Sequence, residues 1–227
     1  MPVAYRKVII CLANSRKISG RCVAGKEVNE QGVGGWVRPV SERENGELSE
    51  ADRRFEDGAD PKLLDVISIP MKRPNPHEFQ VENHVIDDGY YWKRIRTATA
   101  DEVAAAIDHV NGPLWDNQSS SYNGQHDRVS EAQANQLGYS LCLIPVDDLQ
   151  VHIGVEGAEF GNGKRRVRGL FTFNGAQYLL SITDSVVERR YLAGKDGTFD
   201  LGAATLSISL GEPWQGYAYK LIAAVLP

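Results

Sequence analysis

Apolar and polar residues alternate along much of this chain, with the period of two that marks strands rather than helices. The pattern predicts strands over approximately Arg6–Leu12, Arg21–Val28, Gly35–Val40, Leu64–Pro70, Phe79–Ile86, Ser140–Val146, Leu149–Val155, Arg165–Phe173, Gln177–Thr183, Ala204–Leu210 and Gly216–Leu226. About ten strands are enough for two five-stranded units. Five Asn-Gly pairs, at 45–46, 111–112, 123–124, 162–163 and 174–175, add turn chemistry that suits a β-rich fold, because both residues tolerate positive φ.

One hairpin follows residue by residue. A two-residue turn at Asn174-Gly175 sets Phe173 opposite Ala176, Phe171 opposite Tyr178, Gly169 opposite Leu180 and Val167 opposite Ile182, an apolar wall. The other face then pairs Thr172 with Gln177, Leu170 with Leu179, Arg168 with Ser181 and Arg166 with Thr183. A single register sorts core from polar surface, as a half-buried antiparallel pair requires.

Helices are few. Thr99 and Glu102 fit a capping box, and Val103, Ile107 and Val110 form an apolar stripe that ends before Asn111-Gly112-Pro113. A second short helix is predicted from Asp184 to Gly194, and residues 130–137 have room for a turn or two. Residues 111–138 are rich in Asn, Gln, Ser and Gly and read as a linker or long loop. The division expected is an N-terminal domain over 1–140, holding an acidic loop, one helix and the linker, and a C-terminal domain over 141–227.

Composition narrows the class. Of 227 residues, 42% are hydrophobic and 24% charged, ordinary for a globular protein able to bury a core. No apolar run approaches the ~20 residues of a membrane helix, and the Val8–Ala13 run reads as a strand rather than a signal peptide. Cys11, Cys22 and Cys142 offer neither a disulfide framework nor a zinc ribbon, which points to a reducing, cytoplasmic location. The net charge of −5 argues against a protein that coats duplex DNA. Charge is uneven, however: residues 1–40 hold seven Lys/Arg against two acids, and 41–65 hold nine acids against four Lys/Arg. A positive site beside a negative flank still attracts an anion locally.

Three groups of residues can meet an anionic ligand. Asn14, Ser15, Arg16 and Lys17 follow the first apolar run, with Arg21 close behind, and all carry donors suited to phosphate or carboxylate oxygens. Trp36 and Arg38 share one face of a predicted strand, a pairing that would stack a base and hold its phosphate. The plainer alternative is a core Trp36 with Arg38 in a structural salt bridge. Arg166 and Arg168 belong to a run with four basic residues in five, whose plainer role is a solvated or charge-protected strand. Metal and catalytic signals are thin: His77 and His84 lack ligand spacing, and no nucleophile elbow, phosphate loop or dinucleotide fingerprint occurs. No cofactor or metal is expected.

Three segments taken together carry a family resemblance: Lys7–Lys17 (KVIICLANSRK), Gly35–Ser41 (GWVRPVS), and Ser209–Pro213 (SLGEP) followed by Gly216–Ile222 (GYAYKLI). With Ser181-Ile182-Thr183-Asp184, they resemble the bacterial dual-OB-domain family, across nearly the whole chain. The resemblance implies a mainly β fold of two small OB-like barrels packed in tandem, and loosely a setting in bacterial defence. OB barrels often bind single-stranded nucleic acid or oligosaccharide. The leading expectation is therefore a nucleic-acid or nucleotide-binding module that prefers single strands or RNA, with phosphate at Asn14, Ser15, Arg16, Lys17, Arg21, Arg38, Arg166 and Arg168, and a base on Trp36. One alternative is an enzyme acting on a nucleotide or nucleic acid, with Glu82 or Asp184 as base. Another is a protein-interaction subunit whose acidic stretch 42–60 meets its partner and orders on binding.

Overall fold

The first strand continues well past its apolar part. In the computed structural model, which describes residues 5–226, β1 covers Tyr5–Lys17. Asn14 to Lys17 are thus strand residues rather than a loop beyond the strand. They pair with β2 (Gly20–Asn29) in a hairpin that sets Ser15 opposite Cys22 and Arg16 opposite Arg21. Polar side chains ended the hydrophobic signal, but the backbone ladder does not depend on side-chain polarity.

The chain divides into two compact units. The first takes residues up to Ile107 together with Gly138–Ser140. It continues through β3 (Gly32–Val40), helix α1 (Glu50–Arg53), β4 (Asp65–Pro74), β5 (Asn83–Ile86), β6 (Lys93–Thr97) and helix α2 (Ala100–Ala105). Strand order β1-β2-β3-β5-β4 closes on itself through β1–β4, and only the β3–β5 pair is parallel. Inside lie Ile9, Cys11, Val23, Val37, Ile67, Ile69, Met71 and Trp92. Tight closure needs Gly25, where a Cβ would sit 1.9 Å from the carbonyl oxygen of Ile10. β6 (KRIRT) joins β4 outside the ring and was not predicted, because its residues are all exposed and give no alternation.

The second unit takes Asp108–Leu137 and everything from Leu141 onward. It comprises β7 (Arg128–Ser130), helix α3 (Glu131–Ala134), β8 (Leu141–Glu156), β9 (Lys164–Phe173), β10 (Ala176–Ile182), helix α4 (Ser185–Leu192), β11 (Gly197–Leu210) and β12 (Tyr217–Leu226). Its ring runs β8-β9-β10-β12-β11 and returns to β8, again with one parallel pair, β10–β12. Numbered within each ring, both units read 1-2-3-5-4-1 with strands 3 and 5 parallel and a short helix between strands 3 and 4. Each is an OB-like five-stranded barrel, and the protein is mainly β.

The predicted hairpin is present in the expected register, from Phe173–Ala176 to Arg168–Ser181. Asn174 (φ 48°) and Gly175 (φ 76°) supply the positive φ that such a turn requires. Val167, Phe171, Tyr178, Leu180 and Ile182 are buried in the second core. The two strands predicted at 140–155 are one, β8, whose pairing with β11 shifts register around Gly202, opposite Leu149. Asp147-Asp148 thus marks an irregularity rather than a break. Thr99 caps α2 with the expected box, yet the helix stops at Ala105. Asp108, where the second unit begins, exchanges backbone and side-chain hydrogen bonds with Leu143 of that same unit.

The stretch read as a linker is built into the second barrel. Residues 108–137 lie in that unit and not in the N-terminal half. Gln125 bridges to Leu179 on β10, and β7 pairs with Tyr217–Tyr219 on β12. β10 and β12 pair directly only at Ser181–Leu221 and Ile182–Ile222. The segment therefore attaches to both strands beyond the short stretch where they meet. Among the described residues no helix is long and apolar enough to cross a membrane.

Candidate nucleic-acid interface

Alternation along β1 splits the first polar group. Ser15 is buried and its hydroxyl bonds to the Cys22 carbonyl (3.4 Å), while Arg16 is exposed. Asn14 donates to the carbonyl of Pro61 (2.8 Å), a structural contact. Arg16 and Arg21 face one another across the hairpin, with Arg21 and Lys17 partly exposed. The hairpin end carries Arg16, Lys17 and Arg21, and the four residues Asn14–Lys17 do not all face one ligand.

Arg38 takes its plainer alternative. It is 2% exposed, and its guanidinium lies 2.9 Å from Glu82 Oε1 and 2.9 Å from the Ser140 hydroxyl, which itself donates to Glu82. A buried guanidinium requires such partners. Arg38 therefore does not present its charge to a ligand beside Trp36. Trp36 is half-buried, with the Lys26 ammonium 5.7 Å from its ring centroid.

The carboxylates considered for catalysis hold structure. Glu82 is engaged by Arg38 and Ser140. Asp184 caps α4 through the amides of Val186 and Val187 and also accepts from Val225 N. The acidic stretch 42–60 is folded: Ser49 and Asp52 form a capping box on α1, Arg43 pairs with Asp52, and Arg53 with Asp60. Burial pushes the Cys11 thiol up to about 12, so it is no nucleophile near neutral pH. Among the described residues no three His, Cys, Asp or Glu side chains group as metal ligands.

A hollow of about 1070 Å³ in the first unit, beside β6 and the 55–62 loop, is lined by four acidic and four basic side chains. Two of those acids, Asp60 and Asp65, are paired with Arg53 and Arg94. Such a lining gives an anion little net field.

The basic run of the second unit sorts more usefully. Arg165 is held by Asp196 and by the carbonyls of Leu192 and Gly194. Arg168 makes a two-point contact with Glu156 (2.6 and 2.9 Å). Lys164 and Arg166 are exposed on the same strand face as Arg168. They line a hollow of about 300 Å³ with Asn123, Asn162, Tyr122, Phe160 and Glu156, whose carboxylate is taken up by Arg168. The two aromatic rings are 78% and 68% exposed and meet edge to face at 5.7 Å. Phe160 lies in the β8–β9 connection, the loop between strands 1 and 2 of this barrel, which flanks the ligand face of OB folds.

Tyr122 comes from the former linker, whose shape is set by Asp127. That carboxylate is buried and accepts from both the amide and the hydroxyl of Ser121 (2.6 and 2.5 Å). Below it, Lys220 is 1% exposed and donates to the Asp116 carbonyl and to Asn117 Oδ1 (2.6 and 3.0 Å). Burial lowers its pKa to about 8 against the pull of Asp116 and Asp127. Sequence reasoning nominated Arg166 but missed Tyr122 and Phe160. The one signal was the set of Asn-Gly pairs next to both aromatics.

A family model described as a dual OB-containing domain matches residues 7–225. No curated protein matches the chain, and no solved structure does. Two rings of identical closure and a match over nearly the full length agree, and the chain belongs to the dual OB-containing domain family.

Proposed function

We propose that the protein binds single-stranded nucleic acid, RNA or DNA, on the loop face of its second barrel. The carrying observation is the exposed Tyr122–Phe160 pair beside Lys164 and Arg166. An exposed ring offers a stacking surface to any base, and stacking contributes ~1–3 kcal/mol per base. The two cations hold adjacent phosphates, and the Asn123 and Asn162 amides are within the same hollow to meet base edges. The net charge of −5 disfavours duplex coating, whereas a local cationic track still attracts a single strand. Dual-OB architecture is compatible with such a ligand. The cationic end of the β1–β2 hairpin is a second candidate contact on the first barrel. Three cysteines outside any disulfide fit a reducing compartment. Binding of labelled oligonucleotides to wild type and to Phe160→Ala tests the reading; equal affinity in both would remove it.

A further inference from the structure

A second aromatic surface lies on the same barrel. The β11–β12 connection carries Trp214, which is 62% exposed, and Trp214 pairs with Tyr217 across its turn. Its ring lies 6.2 Å from that of Tyr219. Tyr219 stands directly opposite Arg128 in the β12–β7 ladder, and Tyr217 is two residues along the same face. The Arg128 guanidinium lies 4.0 Å from the centroid of the Tyr217 ring, while its Nε donates to the Ser119 hydroxyl (2.9 Å). The guanidinium is thus fixed from one side and through one nitrogen. Among the described residues its two terminal NH₂ groups have no acceptor.

We infer that Trp214 and Arg128 form a second nucleotide subsite, Arg128 gripping a phosphate with both terminal nitrogens and Trp214 stacking the base attached to it. A planar fork already held in place loses little freedom when it meets two phosphate oxygens. The exposed indole is the ring best suited to stacking. This subsite rests on the single-stranded reading and extends it. Ser119, which braces Arg128, is three residues from Tyr122, so at most about 11 Å of backbone separates them. Both aromatic sites therefore fall within the ~4–16 nucleotides that one OB barrel contacts. One strand engages Phe160 and Tyr122 at one point and Trp214 at the other. The built-in segment 119–128 connects them.

The test uses the full chain and a fluorescein-labelled 12-nucleotide oligo(U), read by anisotropy across a salt series. Trp214→Ala is expected to weaken binding roughly 5- to 100-fold. Arg128→Gln is expected to flatten the slope of log K against log salt by about 0.7, the loss of one phosphate contact. Arg128→Lys keeps the slope but weakens binding, because the charge remains and the fork does not. Unlabelled oligo(U) should quench tryptophan emission in wild type and lose most of that quench in Trp214→Phe, a readout independent of any change in stability. Wild-type binding that survives Trp214→Ala and Arg128→Gln at full affinity and unchanged slope overturns the second subsite and leaves the first standing. No binding by wild type at low salt overturns both.

Discussion

Arg38 and Glu82 form an ion pair 2.9 Å long with 2% and 5% of their side chains exposed. Forty-four positions separate them, and β3 and β5 bring them together as the parallel pair of the first ring. Removing one partner leaves a buried charge alone, at a cost of about 3–5 kcal/mol. Arg38→Met should therefore lower the urea midpoint sharply, and Arg38→Met with Glu82→Leu should recover most of the loss. A single variant as stable as wild type would show that the pair is not buried as described.

Lys220 links stability to pH. Its folded pKa is about 8, below the ordinary 10.5, so the unfolded chain holds the extra proton between those values. Burial of the charged form costs stability below pH 8, and this cost disappears as pH rises from 8 to 10.5. The range of the effect is on the order of 3 kcal/mol. Unfolding free energy measured across pH 8–10.5 should rise more steeply in wild type than in Lys220→Met. Parallel curves would contradict the burial of a charged amine.

Gly25→Ala tests the closure of the first barrel. The added methyl would have to displace the Ile10 carbonyl, which is backbone and cannot rotate away. A loss of about 1–3 kcal/mol is expected by chemical denaturation. Gly35→Ala, where a Cβ meets nothing within 4 Å, should cost far less and serves as the control.

Much of the fold was legible where side chains alternate. The 164–183 hairpin was readable to the residue, because one register alone buries Phe171, Tyr178 and Leu180 together. The family was legible from three segments, and the family match bears it out. The polar segment 108–137 was not legible as barrel. Its ties are hydrogen bonds that Asp127 accepts from Ser121 and that Asn117 and the Asp116 carbonyl accept from Lys220, an anchor about a hundred positions away. Pattern reading detects burial of apolar faces and is blind to polar anchoring of this kind. The same blindness set Arg38 at a ligand, because Glu82 is remote in sequence. It also passed over Phe160 and Trp214, since nothing local distinguishes an exposed ring from a buried one.

Salt dependence of oligonucleotide binding addresses the central claim most directly. Wild type should bind single-stranded RNA or DNA at low salt, with log K falling against log salt at a slope of about −2, the value for roughly three phosphate contacts. Arg166→Gln should reduce that slope by about 0.7, and Phe160→Ala should lower affinity without changing it. No binding at low salt, or a slope that Arg166→Gln leaves unchanged, would contradict a nucleic-acid track on the second barrel.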